Sequence, residues 1–500
     1  MLEDIVSALT AYWWMCLILL TLTTLFYLHN PPPNSPPSPG LALPVIGHLY
    51  LLGKDPREIF RSWARRHGNV FHLKLGAASF VVLNDVKTIK EAFVKQADIF
   101  SNRSTKDFIA KYVPRRTNGL ALSSGSVYKE LKLTSMTILK NLGMGKNILA
   151  EKISEGVVVY LQEITELKGI ATNIRPLTDI CVANIICSMI FGKKFDFDDP
   201  IFNRLLDLNH QFVIAFRSTS ICNFFPFLRY IPFDPFKGRS LPLLKEEIGS
   251  YTQKIVTQFV EEFDPQNTDY FIAAFLADIK QKTHLGQATL LDLEKLSVAV
   301  EDLFAAGAET TSTTVVWAML YSLHHPHIQD AIHHELLQNV GVSRLPALDD
   351  KPNLTYLNAF IMELQRISAI TPYGLIHECN RDTTLGGFAV PKGTQVMPNL
   401  DYIFHDPRVW GDPESFRPER FIDEQGRVVS PEEFIPFSVG RRSCLGESMA
   451  KMELFLFLSA LFQRFQLLPA DPMKLPTLQG VFGAAVAPET FEIRLVERKF

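Results

Sequence analysis

Residues 436–446 read PFSVGRRSCLG, and they place one cysteine, Cys444, shortly before an apolar stretch of helical length. We expect that stretch, residues 447–465, to form a helix whose N-terminal end lies beside the sulfur. The free N–H groups and partial positive charge of a helix N-terminus favour a thiolate and lower the pKa of a thiol. Gly440 and Gly446 permit a flat ligand to approach the backbone, because glycine has no Cβ. The stretch therefore predicts a thiolate ligand held in a tight loop.

Two other side chains of this loop suit a planar, anionic cofactor: Phe437 offers an aromatic wall and Arg442 a cation. A lone cysteine is more often a buried structural residue. Here, however, five positions within ten residues follow the pattern F-x-x-G-x-R-x-C-x-G, which resembles the haem-thiolate loop of the cytochrome P450 monooxygenases. The resemblance extends along nearly the whole chain and is greatest to the animal microsomal, family-2-like branch, whose members oxidise foreign compounds and lipids.

The resemblance implies the cytochrome P450 fold: mainly α-helical with small β-sheets, in one domain that binds haem b. Cys444 would be the axial ligand of the iron, and its thiolate would supply the electron density that favours O–O cleavage. Phe437 and Gly440 would lie against the haem, and three residues would neutralise its propionates: Arg442, His377 and Arg103. Relatives usually have Trp and Arg where this chain has Tyr128 and Lys132, which would be further propionate donors without the bidentate fork of arginine.

A second motif lies in residues 291–323, which read as one long helix that is apolar on most faces and therefore buried. Its middle reads AGAETT, from Ala306 to Thr311, where Gly307 permits local unwinding or close contact with a flat cofactor. A mid-helix threonine often bonds only to its own helix. A-G-x-E-T-T nevertheless resembles the family's oxygen-activation motif, which implies that Thr310, assisted by Glu309, delivers protons in apolar surroundings.

Glu363 and Arg366 are three residues apart on a predicted helix and so share one face. A surface ion pair is the usual meaning of that spacing. The resemblance adds Arg420 and implies the family's structural Glu-Arg-Arg network, which ties this helix to the segment that leads into the cysteine loop.

The resemblance also implies which residues line the substrate pocket: Phe304, Ala306, Leu375 and Phe482. All four are apolar. An apolar pocket binds a lipophilic substrate, positioned mainly by shape.

The N-terminus suggests a membrane anchor. Residues 11–28 carry no charge and would span about 27 Å as a helix, close to the hydrocarbon thickness of a bilayer. A cleaved signal peptide would begin with basic residues, whereas Glu3 and Asp4 stand there. The first basic residue is Lys54, and this bias places the body in the cytosol. We expect a single-pass protein of the endoplasmic reticulum membrane.

Three segments follow from this division of the chain: an anchor at residues 1–30, a proline-rich hinge at residues 31–45 and a catalytic domain at residues 46–500. The hinge composition favours a semi-rigid polyproline II spacer. An aromatic cluster between Phe224 and Phe236 is either a loop packed on the core or a lip that touches the bilayer.

Composition limits the partners. The net charge of −3 does not indicate a nucleic-acid partner, while 47% hydrophobic residues with 37 Phe suffice for a large core and an apolar pocket. The six cysteines show no paired spacing of a disulfide or zinc type, which fits a reducing compartment.

Electrons must come from a partner, because the chain has no glycine-rich dinucleotide fingerprint. The resemblance implies NADPH-cytochrome reductase, with cytochrome b5 as a possible second donor. Four basic residues are candidates for the docking face: Lys129, Lys132, Lys140 and Arg441.

The function that these features favour is insertion of one oxygen atom of O2 into a lipophilic small molecule, such as a fatty acid, steroid, eicosanoid or xenobiotic. Two alternatives stay open. A haem-thiolate isomerase or dehydratase would share the fold without using O2. A non-catalytic haem-binding membrane protein, such as a sensor, would show no turnover with reductase and NADPH.

Overall fold

The computed structural model describes residues 12–24, 34–53, 55–104, 108–113, 115–483 and 485–499. The predicted fold class is confirmed, since helices dominate and the sheets are small. The α-helices are α1 (residues 12–24), α2 (Arg57–His67), α3 (Val86–Lys90), α4 (Ala97–Phe100), α5 (Phe108–Tyr112), α6 (Gly125–Asn141), α7 (Asn147–Glu166), α8 (Arg175–Phe191), α9 (Pro200–Thr219), α10 (Ser240–Glu261), α11 (Phe271–His284), α12 (Leu293–His324), α13 (Pro326–Asn339), α14 (Thr355–Ser368), α15 (Leu400–Phe404), α16 (Pro407–Trp410) and α17 (Glu447–Arg464). A π-helical turn, Glu91–Lys95, continues α3.

The strands form one four-stranded sheet, in the order β1-β2-β6-β3, and three two-stranded pairs. Their bounds are β1 (Val70–Leu75), β2 (Ala78–Leu83), β3 (His377–Glu378), β4 (Thr383–Leu385), β5 (Phe388–Val390), β6 (Gln395–Pro398), β7 (Phe465–Pro469), β8 (Gly480–Val481), β9 (Ala487–Pro488) and β10 (Ile493–Glu497). The β1–β2 hairpin turns at Gly76, which adopts a φ of 59°, and β2 pairs with β6 in parallel.

Helix α12 forms the centre of the molecule and packs against α8, α10, α14 and α17. Its start is set by Asp292, whose carboxylate accepts a hydrogen bond from the Lys295 N–H at 2.8 Å. The helix runs through Gly307 without a break, so the local unwinding considered there is wrong. A Cβ at Gly307 would lie 2.7 Å from the Cδ1 of Ile186, so this glycine lets α8 approach α12 closely.

The Glu-Arg-Arg set is a buried network rather than a surface pair. Glu363 and Arg366 are both fully buried on α14, with Arg366 Nε 2.7 Å from Glu363 Oε2. Arg420 Nε donates to Glu363 Oε1 at 3.0 Å, and Arg366 Nη1 donates to the Phe404 carbonyl at 2.6 Å. Because every charge has a partner, the network joins α14 to α15 and to the segment that precedes the cysteine loop.

Near the N-terminus, residues 12–24 are helical, and the rest of the predicted anchor span lies outside the described residues. No helix among the described residues combines the length and the apolar character needed to cross a membrane. The described part of the hinge, residues 34–45, is bonded to the body. The His72 N–H donates to the Pro37 carbonyl at 2.8 Å, and the Ala389 N–H donates to the Asn34 carbonyl at 2.9 Å.

Candidate active site

A cavity of about 1220 Å³ lies between α12, the cysteine loop and the end of α17 nearest that loop. Ligand pockets usually measure about 300–1,000 Å³. The volume therefore suits a cavity that holds a cofactor and a substrate together. The sequence-predicted residues that line it come from six parts of the chain: Arg103, Tyr128, Lys132, Phe304, Ala306, Glu309, Thr310, Leu375, His377, Phe437, Arg442, Cys444 and Phe482.

Cys444 lies in the loop between a 3-10 turn, Gly440–Arg442, and the start of α17 at Glu447. Its N–H donates to the Phe437 carbonyl at 3.0 Å, which closes the loop. The Phe437 side chain lines the same cavity as the sulfur. The loop thus presents the sulfur to the cavity.

The predicted lowering of the Cys444 pKa is wrong for the protein alone. The sulfur faces the cavity, but surrounding protein removes water from it, and this burial raises the pKa of the Cys444 thiol. The Gly446 N–H at the helix end lowers that pKa, while the Glu447 carboxylate raises it. A bound metal cation, more than the helix end, is what would convert this thiol into a thiolate.

Gly440 has a different role from the predicted one. It does not line the cavity, and it adopts a φ of 84°. A Cβ at this position would lie 2.0 Å from the Phe93 carbonyl oxygen in the π-helical turn. Gly440 therefore lets the cysteine loop pack on that turn, rather than giving a flat ligand access to the backbone.

Two arginines form a cationic wall of the cavity. Arg103 is buried, and it donates to the Leu375 carbonyl at 2.6 Å and the Ile376 carbonyl at 2.8 Å. Arg442 donates to the Ser101 carbonyl at 2.8 Å. Burial lowers the pKa of Arg103 to about 9 and that of Arg442 to about 10. Both guanidiniums are therefore in surroundings that penalise their charge.

Tyr128 and Lys132, on α6, stand beside this wall and share one acceptor. The Tyr128 hydroxyl donates to the Arg441 carbonyl at 2.8 Å, and Lys132 Nζ donates to the same oxygen. Burial lowers the pKa of Lys132. Both residues thus hold the backbone of the cysteine loop.

His377, on β3, is buried and stacks on the Phe93 ring with 3.8 Å between ring centroids. Its Nδ1 lies 2.6 Å from the Phe100 carbonyl oxygen, which can only accept, so Nδ1 carries the proton. Burial, reinforced by Arg103, holds the pKa of His377 well below its ordinary value. Before an anion binds, the ring is therefore neutral, and the positive charge on this side of the cavity comes from the two arginines and Lys132. That His377 contacts a propionate stays a prediction.

The wall has positive charge, and its partners within the described part of the chain are neutral. Among the described residues, no carboxylate forms an ion pair with Arg103 or Arg442. Buried cations without a counter-ion are costly, and here carbonyl oxygens are their partners. The two propionates of haem would supply the missing anions, and Cys444 would supply the axial sulfur. The residues present therefore fit haem b.

Thr310 is on the α12 wall of the cavity, and its hydroxyl donates to the Ala306 carbonyl at 2.8 Å. Glu309 also lines the cavity, but Arg175 of α8 donates to its Oε1 at 2.9 Å. Burial raises the pKa of the Glu309 carboxyl, and Arg175 offsets this only in part. A hydroxyl and a carboxyl with a raised pKa are thus adjacent in the cavity wall.

The four predicted pocket residues line the cavity from different elements. Phe304 and Ala306 come from α12, Leu375 precedes β3, and Phe482 follows β8. Phe482 is supported by Tyr373, with 6.0 Å between ring centroids.

Sequence reasoning missed three acids in the cavity wall, namely Glu301, Asp302 and Glu453. Glu453 of α17 is buried, its Oε2 accepts from the Thr311 hydroxyl at 2.9 Å, and its Oε1 has no partner among the described residues. Burial raises the pKa of Glu453 to about 8. The sequence signal for Glu453 was a single acidic residue within the apolar run MELFLFL, which indicates a buried carboxyl group.

Comparison with known proteins agrees with this geometry. Residues 36–495 match the family model described as "Cytochrome P450". The chain is 34% identical to cytochrome P450 2U1 of Bos taurus over 90% of this chain and 83% of that one. It is 35% identical to cytochrome P450 2B4 of Oryctolagus cuniculus, with 93% and 94% of the two chains covered. It is 33% identical to cytochrome P450 2E1 of the same species, with the same coverage.

The family binds haem through a cysteine thiolate, and Cys444 is the cysteine in the matching loop. The match covers most of the chain, and the cavity presents the sulfur beside Arg103 and Arg442, whose partners among the described residues are carbonyl oxygens. This protein belongs to the cytochrome P450 family, as a haem-thiolate monooxygenase of the family-2 type.

Proposed function

We propose that the protein inserts one oxygen atom of O2 into a lipophilic small molecule, namely a fatty acid, steroid, eicosanoid or xenobiotic. The observation that carries this proposal is that Cys444 and Thr310 line one cavity from different walls. The remaining wall is largely apolar, which suits a substrate held by shape.

When bound, haem would supply the oxygen chemistry, and the Cys444 thiolate would add electron density to it. Cys444 would hold the iron from the cysteine loop, and Arg103 and Arg442 would hold the propionates. Tyr128 and Lys132 would act on the same cofactor by fixing the backbone of Arg441.

Proton delivery is the task of α12. Thr310 holds a proton on Oγ1, and its hydroxyl donates to the Ala306 carbonyl. The hydroxyl must rotate away from that carbonyl for the proton to face the cavity. Glu309 is the acid beside it. Apolar neighbours such as Phe304 limit the water that reaches this point.

NADPH-cytochrome reductase would supply the electrons, with cytochrome b5 as a second donor. Lys129, Lys140 and Arg441 are exposed and support a docking face near the cysteine loop. Lys132 is turned inward onto the Arg441 carbonyl, so we leave it out of that face. An association rate that does not change with salt would exclude this face.

We place the protein in the endoplasmic reticulum membrane, held by one N-terminal helix with the body in the cytosol. Asn353 is exposed within the sequon Asn353-Leu354-Thr355. Sugar attached there in cells would place the body in the lumen and reject this orientation.

Turnover with reductase, NADPH and ¹⁸O-labelled O2 tests the function. One labelled oxygen atom in the product is expected. Product without label would favour an isomerase or dehydratase. No product from any lipophilic compound that perturbs the haem absorption band would favour a non-catalytic haem protein.

A further inference from the structure

One pair of buried, oppositely charged residues belongs to the lining of the cavity. Lys245 of α10 and Glu301 of α12 are each 6% exposed, and Lys245 Nζ donates to Glu301 Oε2. Both residues line the cavity. Glu301 precedes Thr310 by nine residues, which is about 13 Å along the helix axis.

The charges of this pair are balanced by their neighbours. Arg115 Nη2 donates to Glu301 Oε1 at 3.4 Å, and Arg115 Nε lies 3.7 Å from Glu294 Oε1. Among the described residues, two cations and two carboxylates thus form this cluster, and the buried Asp302 adds a third carboxylate to the cavity lining. A further carboxylate in the cavity would lie beside Glu301, where like charges in a dry site repel strongly.

A neutral hydroxyl group meets no such repulsion. A carboxylate has about four acceptor positions, and among the described residues Glu301 accepts from Lys245 and Arg115, so it can accept a further hydrogen bond. A ligand hydroxyl would donate to Glu301. Thr252, on the same helix as Lys245, is buried and lines the cavity, and its hydroxyl has no partner among the described residues. This wall thus offers hydrogen bonds to a ligand within an otherwise apolar cavity.

We infer that the Lys245–Glu301 pair binds the hydroxyl end of an elongated lipophilic substrate and selects such alcohols over carboxylic acids. The inference rests on the proposed function and names its substrate class. It also implies that the oxidised carbon is remote from that hydroxyl, since about 13 Å of α12 separates Glu301 from Thr310.

Equilibrium dialysis of the haem-loaded full chain with radiolabelled ligands tests the inference without turnover. The probes are 1-dodecanol, its methyl ether and dodecanoic acid. The alcohol should bind about tenfold more tightly than the ether, because the ether cannot donate to Glu301. The acid should bind no more tightly than the alcohol.

Two variants sharpen the test. Glu301→Gln removes the competing carboxylate and should shift the acid-to-alcohol preference about tenfold toward the acid. The double variant Lys245→Met/Glu301→Gln removes both charges of the pair, so that neither stays behind without its partner. It should bring the affinities for the alcohol and the ether within about twofold of each other. Lys254→Met, at an exposed position of the same helix, is the matched control and should keep the wild-type ratios.

The affinities of the wild-type protein for the alcohol, the ether and the acid decide the test even where a variant fails to retain haem. Equal binding of alcohol and ether, or tighter binding of the acid, would overturn the inference. Product formation is scored separately. Turnover without the alcohol preference rejects this inference alone, whereas the preference without labelled product rejects the proposed function alone.

Discussion

The guanidinium of Arg442 lies 3.2 Å from the centroid of the Tyr128 ring. The ring therefore supports the cation that faces the cavity, while the Tyr128 hydroxyl holds the neighbouring Arg441 carbonyl. Tyr128 would thus act on bound haem through Arg442 and through the loop backbone, and a Trp at this position would preserve a ring contact.

Tyr128→Ala should speed haem dissociation about tenfold, because a cation–π contact contributes about 1–2 kcal/mol when partly desolvated. Tyr128→Phe keeps the ring and should stay within about twofold of wild type. Tyr128→Trp should retain haem at least as well. Transfer of haem to an apo-globin acceptor measures these rates. Equally fast haem dissociation from the Phe and Ala variants would show that the Tyr128 hydroxyl, not its ring, retains the haem.

Thr310→Ala should lower the yield of product per NADPH consumed by tenfold or more, since positioned proton donors contribute about 10²–10⁴-fold. Thr310→Ser should restore most of the yield. Thr314→Ala is the control, because Thr314 makes the same kind of bond, at 2.8 Å to the Thr310 carbonyl. Parallel measurement of NADPH oxidation and product gives the ratio. An equal effect at Thr314 would mean that α12 geometry, not the Thr310 proton, is responsible.

Glu453 makes stability depend on pH. Its pKa is about 8 when folded and near 4.5 when unfolded, so the folded state binds the extra proton between these values. Stability is fully present below pH 4.5 and is lost as the pH rises toward and through 8, by a few kcal/mol. Glu453→Gln should match wild type near pH 5 and exceed it at pH 9.

Urea unfolding of wild type and Glu453→Gln across that pH range checks this. The exposed Glu261→Gln is the control and should leave the wild-type slope unchanged. If the free energy of unfolding changes with pH in the same way for wild type and Glu453→Gln, Glu453 is not protonated in the folded protein.

Glu363→Gln should lower the free energy of unfolding by about 3–5 kcal/mol, because it leaves buried arginine charge without its carboxylate. Glu414→Gln is the matched control. Its side chain is 75% exposed and pairs with Arg61 at 3.1 Å, so the loss should stay below about 1 kcal/mol. Urea unfolding compares the two. Similar losses would contradict a network that depends on burial.

The aromatic segment divides into two parts. Phe227, Tyr230 and Phe233 are exposed, whereas Phe224 packs on the cluster around β1 and β2. The double variant Phe227→Ser/Phe233→Ser should weaken liposome binding of a form that lacks residues 1–30 several-fold, because it removes exposed apolar area. Met473→Ser removes an equally exposed side chain elsewhere and should have little effect. Unchanged flotation of the double variant would exclude the lip.

Local sequence patterns predict much of this protein. The cysteine loop, the helix after it and the long helix appear where the sequence pattern places them, with α12 within two residues of its predicted bounds. These features depend on backbone preferences over a few residues. The motif residues likewise follow from order alone, since their spacing matches a known loop.

Packing between remote segments settles the rest. Gly440 is required by Phe93, which is 347 residues earlier, and Glu309 is held by Arg175. The charge states of Cys444 and His377 depend on how much protein surrounds them. No local pattern reports such burial, because the desolvating atoms come from segments that only the fold brings together.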